Sequence, residues 1–538
     1  MSWEHVRHEE AAAFAAGADA ALTGGLAVCA GSCGPGNLHL INGLFDAHRS
    51  RVPVLAIAAH IPRAEIGSEY FQETHPQDLF RECSVYCELV STPEMTPRIL
   101  QMAMRAAVEE RGVAVVVIPG EVFLQKADDS AWAAGPVVAS RSVIRPDDES
   151  LQRAATILND ATAVTILAGA GVEGSHDAVI AAAQTLNAPI VHALRGKEFI
   201  EYDNPFDVGM TGLLGFASGY KAIKEADALL MLGTDFPYQQ FYPDNAKVIQ
   251  VDIRGRNLGR RTPVELGLVG SVGDTLAALS PLLRPKQQRD HLDRSLNHYR
   301  KTRRRLDELA ANDRDRTPIR PEYVAALANR LAADDAVFTV DVGSPVVWAA
   351  RYVTMNGRRR LIGSFNHGTM ACALPLAIGA QTADRDRQVV ALAGDGGLTM
   401  MFGDLISLTQ NRLPVKVIVF NNSSLNFVEL EMKAAGIVNF GTGLNNPNFA
   451  DVADAMGIFG RRVEHPAELE RAVADALAHD GPAVVDVVTA RQELSIPPAI
   501  TVEQAKGFSL YAIRTILAGR GEELLDLITT NVARRILD

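Results

Sequence analysis

Short, continuous apolar runs recur along the whole chain: "LAVCAG", "VPVLAIAAH", "VAVVVIPG", "AVTILAGAG", "APIVHAL", "ALLMLGT", "KVIQVDI", "AVFTVDVG", "VVALAGDGG", "VKVIVFNN" and "PAVVDVV". They lack the polar alternation of a half-exposed strand, so each predicts a strand buried on both faces, as in parallel sheets covered by helices. Ala/Leu-rich stretches with helical spacing separate them. The pattern predicts an α/β protein of three doubly wound parallel-sheet domains with a C-terminal amphipathic helical tail.

Two polar stretches interrupt the pattern. "DDSAWAAGPVVASRSVIRPDDES" is aperiodic and carries Gly and Pro, which predicts a linker near residue 140. "RPKQQRDHLDRSLNHYRKTRRRLDELAANDRDRTPIRP" predicts a solvated charged helix and turn leading into a third domain. The expected boundaries are 1–140, 141–300 and 301–497, with the tail at 498–538. In that tail Leu524, Leu525, Leu527, Ile528, Val532, Ile536 and Leu537 fall mainly on one helix face, with charged residues elsewhere.

Composition narrows the function. A chain of 538 residues exceeds what one hydrophobic core supports, consistent with several domains. A net charge of −12 argues against a general nucleic-acid binder, which needs a basic surface. No apolar run is long enough to span a bilayer, and "MSWEHVRHEE" carries charge where a secretory signal needs an apolar core, so the cytoplasm is the expected compartment. The five cysteines include Cys29/Cys33 and Cys83/Cys87, each pair four apart in apolar company; they are expected to be packing residues, not a metal site.

The chemistry concentrates in "VVALAGDGGLTM", where a buried strand delivers Asp395 into a glycine loop. A second strand ends 27 positions later at Asn422, and neighbouring parallel strands present their carboxyl ends at one sheet edge. A carboxylate and an amide oxygen are hard ligands that suit Mg²⁺ held together with diphosphate oxygens. Gly394, Gly396 and Gly397 would let backbone N–H groups approach those oxygens. Taken alone, the Gly-Asp-Gly stretch reads equally well as a tight βα turn whose Asp caps the next helix.

A GDGG loop followed by a strand-ending Asn-Asn resembles the cofactor motif of the thiamine diphosphate-dependent pyruvate oxidase/acetolactate synthase superfamily. The resemblance covers essentially the whole chain. It implies Mg²⁺ ligands at Asp395, Asn422 and the backbone of Leu425. Cofactor contacts are implied at Gly343 and Ser344 and, in "SFNHGTMACALPLAIGA", at Gly368, Thr369 and Met370, the last as the bulky residue that bends thiamine diphosphate. In "VRHEEAAAFAAGADAAL" it implies Glu9 as the glutamate that hydrogen-bonds the aminopyrimidine, by itself no more than a helix N-terminal charge; "CAGSCGPGNLHLINGLFDA" looks like the accompanying Gly-Pro-Gly turn. Phe71 and Gln72, and Phe427, Val428 and Glu431 on the helix after the metal loop, are implied neighbours of the reacting carbon. Positions 427 and 431 share a helix face. Asn426 stands where close relatives tend to have glycine.

The middle domain carries Gly169, Gly171 and Gly174 after a strand, a weak dinucleotide signal without the acidic residue an NAD site wants at the end of the next strand. Its "HALRGKEFIEYDNPFDVGMTGLLGF", "LLGTDFPYQQFYP" and "KVIQVDI" resemble the FAD segments of the pyruvate oxidase group, especially the bacterial quinone-dependent pyruvate dehydrogenases. That implies FAD along Met210, Thr211, Gly212 and Leu213, along Gly233, Thr234, Asp235, Phe236 and Pro237, and at Val251, largely through backbone.

The resemblance therefore implies a peripheral enzyme on the inner face of the cell membrane that oxidises pyruvate to acetate and CO₂. Electrons would pass through FAD to a membrane quinone, and phospholipid would bind the C-terminal helix. The subunits are expected to form a homotetramer with active sites between them. The alternatives are a phosphate-using pyruvate oxidase, a non-redox acetolactate synthase or 2-oxo acid decarboxylase, or an inactive lipid-binding subunit. Relatives begin with a further strand and helix before the glutamate, so the first domain is expected to lack both, through a late start or a truncation.

Overall fold

The computed structural model describes residues 3–126, 142–311 and 316–491, together with residue 137 and, near the C-terminus, residues 506, 510–512, 514, 515 and 527. Three sheets organise these residues. The first contains β1 (Ala27–Gly31), β2 (Val54–His60), β3 (Tyr86–Leu89) and β4 (Val113–Pro119) in the order β1-β2-β4-β3. The second contains β5 (Val164–Ala168), β6 (Ile190–His192), β7 (Asp207–Met210), β8 (Ala228–Leu232), β9 (Lys247–Asp252) and β10 (Leu266–Val269) in the order β10-β9-β8-β5-β6-β7. The third contains β11 (Val337–Val340), β12 (Arg360–Gly363), β13 (Val389–Gly394), β14 (Lys416–Asn421), β15 (Phe459–Val463) and β16 (Ala483–Val488) in the order β12-β11-β13-β14-β16-β15. Every pairing between these strands is parallel.

The apolar runs mark the strands buried on both faces. In β13, Val390 and Leu392 enter a core with Phe338, Trp348 and Phe420, while Val389, Ala391 and Ala393 enter another with Leu374, Val417 and Leu405. Helices on both faces supply these partners, which is the doubly wound α/β arrangement. The chain reverses direction across the second sheet between β5 and β8, and across the third between β11 and β13. At such switch points the following loops diverge and leave a crevice at the strands' carboxyl ends, where ligands bind.

Helix α1 (Glu9–Thr23) is Ala-rich because it is packed on two sides. One side lies on α2 (Pro35–Ser50) of the first domain and the other on the helix Ala373–Ala383 of the third. There the backbone of Ala15 occupies the space a Cβ on Gly379 would need. Arg360 ties all three units together. Its Nε donates to Glu198 Oε2 in the second domain at 2.8 Å, and its Nη2 to the Ala21 carbonyl of α1 at 3.2 Å.

The five cysteines are free thiols, and burial pushes the pKa of Cys29, Cys83 and Cys87 up to about 12. Among the described residues, no helix is long and apolar enough to cross a membrane. The amphipathic helix expected at the C-terminus lies outside the described residues, Leu527 excepted. Upstream of it, the ring of Tyr511 lies 5.7 Å from Lys433 Nζ, and Arg514 donates to the Gly436 carbonyl at 2.6 Å.

Candidate functional site

Strands β13 and β14 are neighbours, so their carboxyl ends place Asp395 beside the loop that carries Asn422. Asp395 is 3% exposed and begins the short helix Asp395–Met400. Its Oδ1 accepts the Gly396 N–H at 2.8 Å; its Oδ2 accepts the Ser423 N–H at 2.7 Å and Asn446 Nδ2 at 2.8 Å. Asn446 also donates to Asn421 Oδ1 at 2.9 Å, a bridge that local sequence pattern did not reveal. Burial raises the Asp395 pKa above the ordinary carboxylate value despite these donors. A divalent cation would offset that penalty. Asn422 turns its Oδ1 to the Ser424 N–H at 3.0 Å, and the Leu425 carbonyl accepts the Glu429 N–H at 3.0 Å, which engages one of its lone pairs. The carboxylate, amide and carbonyl oxygens form a hard donor set that fits Mg²⁺.

The glycines of this loop accommodate other groups. A Cβ on Gly396 would lie 2.8 Å from Leu425 Cδ2 and 3.4 Å from Met370 Cε, so Met370 leans over the glycine loop. A Cβ on Gly397 would strike the carboxylate of Asp341. Asp341, just beyond β11 and 2% exposed, accepts the Ala373 N–H at 2.8 Å and the Gly394 N–H at 3.2 Å. Burial pushes its pKa up to about 6. It braces the switch point and was not among the expected site residues. Gly343 has φ +144°, a conformation that favours glycine, and leads into Ser344 at the start of the helix Ser344–Tyr352. Ser344, Trp348, Asn422 and Asn426 line a narrow crevice.

On the first domain, the Gly34-Pro35-Gly36 turn brings together two expected site residues. A Cβ on Gly34 would sit 2.9 Å from Gln72 Cβ, and one on Gly36 would sit 2.9 Å from Glu9 Oε1. Glu9 is the first residue of α1, and its Oε2 lies 2.9 Å from His39 Nδ1. Burial acts to raise the Glu9 pKa, but the His39 hydrogen bond and charge leave it below the ordinary value. His8 stacks on His39 with ring centroids 4.2 Å apart. Phe71, beside Gln72, is 78% exposed. Asn42 of α2 joins this unit to the third domain. Its Nδ2 donates to Glu10 Oε1 at 2.7 Å and to Thr369 Oγ1 at 3.2 Å, one residue from Met370. Gly368 has open space where a Cβ would stand.

The helix Asn426–Ala434 places Phe427 half-buried against the core, Val428 43% exposed and Glu431 exposed. Its buried face is instead Glu429 and Lys433. Asn426 donates to the Arg491 carbonyl at 2.6 Å. Burial raises the pKa of Tyr238 in the second domain, and the charge of Glu431 adds to that shift.

In the second domain, the Gly171 N–H donates to the Gly233 carbonyl at 3.0 Å, and the backbones of Gly169, Gly171 and Gly233 pack together at the β5/β8 switch point. Met210, Phe236 and Val251 are buried in the cores, and Asp235 is ion-paired with Arg260 and Arg261. Thr234 is 6% exposed, Leu213 packs at the core edge, Pro237 follows Phe236 in the same loop, and Gly212 (φ +99°) abuts the Phe236 ring. Ligand contact from several of these positions must therefore come through backbone. Thr211 Oγ1 is buried without a hydrogen-bond partner among the described residues, whereas His192 Nε2 lies 3.6 Å from Asp207 Oδ1. An orphaned hydroxyl just beyond the carboxyl end of β7 fits a polar ligand.

Comparison with known proteins places these features. Residues 1–79, 151–279 and 341–487 match, respectively, the N-terminal TPP binding domain, the central domain and the C-terminal TPP binding domain of thiamine pyrophosphate enzymes. The chain is 36% identical over 529 residues to the putative thiamine pyrophosphate-containing protein YdaP of Bacillus subtilis, covering 98% of this chain and 91% of that protein. It is 61% identical over 318 residues to an uncharacterized 42.6 kDa protein in the isoamylase 3′ region of Pseudomonas amyloderamosa, covering 59% of this chain and 80% of the relative. It is 29% identical over 490 residues to the pyruvate oxidase of Lactiplantibacillus plantarum, covering 90% and 81%. Acetolactate synthases are among its further relatives. With three matching domains in order and a relative aligned along nearly its full length, the chain belongs to the thiamine pyrophosphate-dependent enzymes of the pyruvate oxidase/acetolactate synthase superfamily.

Proposed function

We propose that this enzyme oxidatively decarboxylates pyruvate to acetate and CO₂ with thiamine diphosphate, Mg²⁺ and FAD, and passes two electrons to a membrane quinone. The reaction balances as pyruvate, water and quinone giving acetate, CO₂ and quinol. Bound thiamine diphosphate supplies a carbon nucleophile and electron sink for decarboxylation, and bound FAD supplies a two-electron acceptor. Asp395, Asn422 and a backbone carbonyl of loop 422–425 hold the cation. Gly343, Ser344, Gly368 and Thr369 line the cofactor, and Met370 supports its bend. Glu9 holds a proton at the aminopyrimidine, and the Gly34-Pro35-Gly36 turn fixes its carboxylate. Phe71, Gln72, Phe427, Val428 and Glu431 orient the substrate and exclude water.

The observation that supports the redox reading is the buried Thr211 Oγ1, without a hydrogen-bond partner among the described residues, just beyond β7 in a segment assigned to the flavin. In this reading the enzyme is a homotetramer with active sites between subunits, recruited to phospholipid through its C-terminal helix. The acetolactate synthase relatives favour a second, non-redox reading. Anaerobic addition of pyruvate to the yellow holoenzyme separates the two. Bleaching of the flavin absorbance, reversed by a quinone analogue and accelerated by phospholipid vesicles, is expected. Unbleached flavin with acetolactate as product supports the second reading, and acetyl phosphate formed in phosphate buffer points to the phosphate-using oxidase.

A further inference from the structure

The helix Asn426–Ala434 is inverted relative to ordinary amphipathicity: Glu429 and Lys433 are buried at 0% and 1% exposure, whereas Val428 faces outward. A buried carboxylate persists only where donors replace its water. Oε1 of Glu429 accepts Ser424 Oγ at 2.6 Å, Thr442 Oγ1 at 2.9 Å and the Arg491 guanidinium. Its Oε2 accepts Asn439 Nδ2 at 3.2 Å and lies 3.4 Å from Lys433 Nζ.

Arg491 and Lys433 neutralise the carboxylate, but Ser424, Thr442 and Asn439 do something else. Ser424 lies two residues after Asn422 and donates its N–H to Asn422 Oδ1. The Thr442 carbonyl accepts the Leu425 N–H at 2.9 Å, and Leu444 donates to the Ser423 carbonyl at 2.9 Å. The strap 439–446 thus runs along the metal loop. It is pinned at one end on Glu429 and at the other by Asn446 on Asp395.

We propose that Glu429 is a positioning residue for the divalent cation: through Ser424 and Thr442 it fixes loop 422–425 and strap 439–446 so that Asp395 and Asn422 converge. The inference rests on the reading of Asp395 and Asn422 as Mg²⁺ ligands. Outer-shell partners of metal ligands typically account for about 10–100-fold in metal affinity. Glu429→Gln keeps the side chain's shape, yet it sets an NH₂ against the Asn439 and Lys433 donors and removes the charge that faces Arg491.

The test is calorimetric titration of Mg²⁺ into the full-length chain with thiamine diphosphate present, for the unmutated protein, Glu429→Gln, Ser424→Ala and Thr442→Val. Glu429→Gln is expected to lower the metal-free melting temperature, because it takes the carboxylate away from the buried Lys433, and the folded protein is expected to bind Mg²⁺ about 10–100-fold more weakly, with turnover restored at saturating Mg²⁺. Affinity within about twofold of the unmutated chain in a folded Glu429→Gln overturns the inference. Should that variant fail to fold, unchanged affinity in both Ser424→Ala and Thr442→Val overturns it equally. An unmutated chain that takes up no Mg²⁺ with thiamine diphosphate overturns the functional reading instead.

Discussion

The backbone N–H of Ser423 donates to Oδ2 of Asp395 across 2.7 Å, and this bond joins the loops that leave two adjacent parallel strands. The first loop carries one proposed hard ligand, Asp395, the second carries the Asn422 amide oxygen and a backbone carbonyl, and the bond joins them into one candidate site. Asp395→Asn and Asn422→Ala are therefore each expected to weaken Mg²⁺-dependent uptake of thiamine diphosphate by more than the roughly 100-fold upper range of outer-shell changes. Quenching of intrinsic fluorescence on cofactor addition measures this; uptake at unmutated strength would remove both residues from the metal site.

Glu9, the glutamate proposed to hydrogen-bond the cofactor, has its carboxylate held by His39 and packed against Gly36, where a side chain would intrude. Positioned acid–base groups contribute about 10²–10⁴-fold to rate. Glu9→Gln should lower kcat by that order while leaving cofactor affinity within a few-fold. Steady-state kinetics with pyruvate, paired with a cofactor titration, distinguishes this from a binding defect.

Gly36→Ala places a methyl group against Glu9 Oε1 and Ser32 Oγ. Overpacking of this kind costs about 1–3 kcal/mol. The urea unfolding midpoint should fall accordingly, and turnover should fall further than stability, approaching that of Glu9→Gln. Full activity in Gly36→Ala would mean that the turn does not set the carboxylate's position.

Asp341 provides a pH signature. Its folded pKa, pushed up to about 6 by burial, exceeds its ordinary value of 3.8, so the folded state binds more protons between those values. Stability of the metal-free chain should therefore decrease as pH rises from about 4 to 6, by about 3 kcal/mol from this residue, and be independent of it at higher pH. In Asp341→Asn the slope of unfolding free energy against pH should lose this contribution of about one proton. Identical slopes in the two chains would place the Asp341 pKa at its ordinary value.

Arg360→Ala removes the side chain that, among the described residues, bonds both Glu198 and the α1 backbone, leaving the partly buried Glu198 carboxylate short of its cation. Loss of one partner of a fully buried pair costs about 3–5 kcal/mol, and both Arg360 and Glu198 are partly exposed, so a smaller value is expected. The melting temperature should drop, and amide exchange should accelerate in α1 ahead of the strands of the third sheet. Uniform exchange rates would show that α1 is held by its helix contacts alone.

How much of this was legible depends on where each residue lies. The apolar runs correspond to the inner strands and to β1. The strands without such a run, β3, β7, β10, β12 and β15, are all at sheet edges. An edge strand has one neighbour and is often shorter or partly solvated, so it need not be continuously apolar. In β10, for example, Leu266 and Leu268 are buried while Gly267 and Val269 are exposed.

The sequence by itself determined the three α/β units, because burial on both faces writes an unbroken apolar run into each inner strand. It also pointed to Asp395 and the Asn422 loop as neighbours, because residues just past the ends of adjacent parallel strands meet at one sheet edge. Tertiary structure alone decided what surrounds them. Glu429 reads locally as a solvated helix charge and is buried only because Ser424, Thr442 and Arg491 converge on it. Asn42 meets Thr369 across 327 positions of chain. Such contacts leave no periodic trace, because the partners of a polar side chain are set by packing between elements rather than by spacing along one.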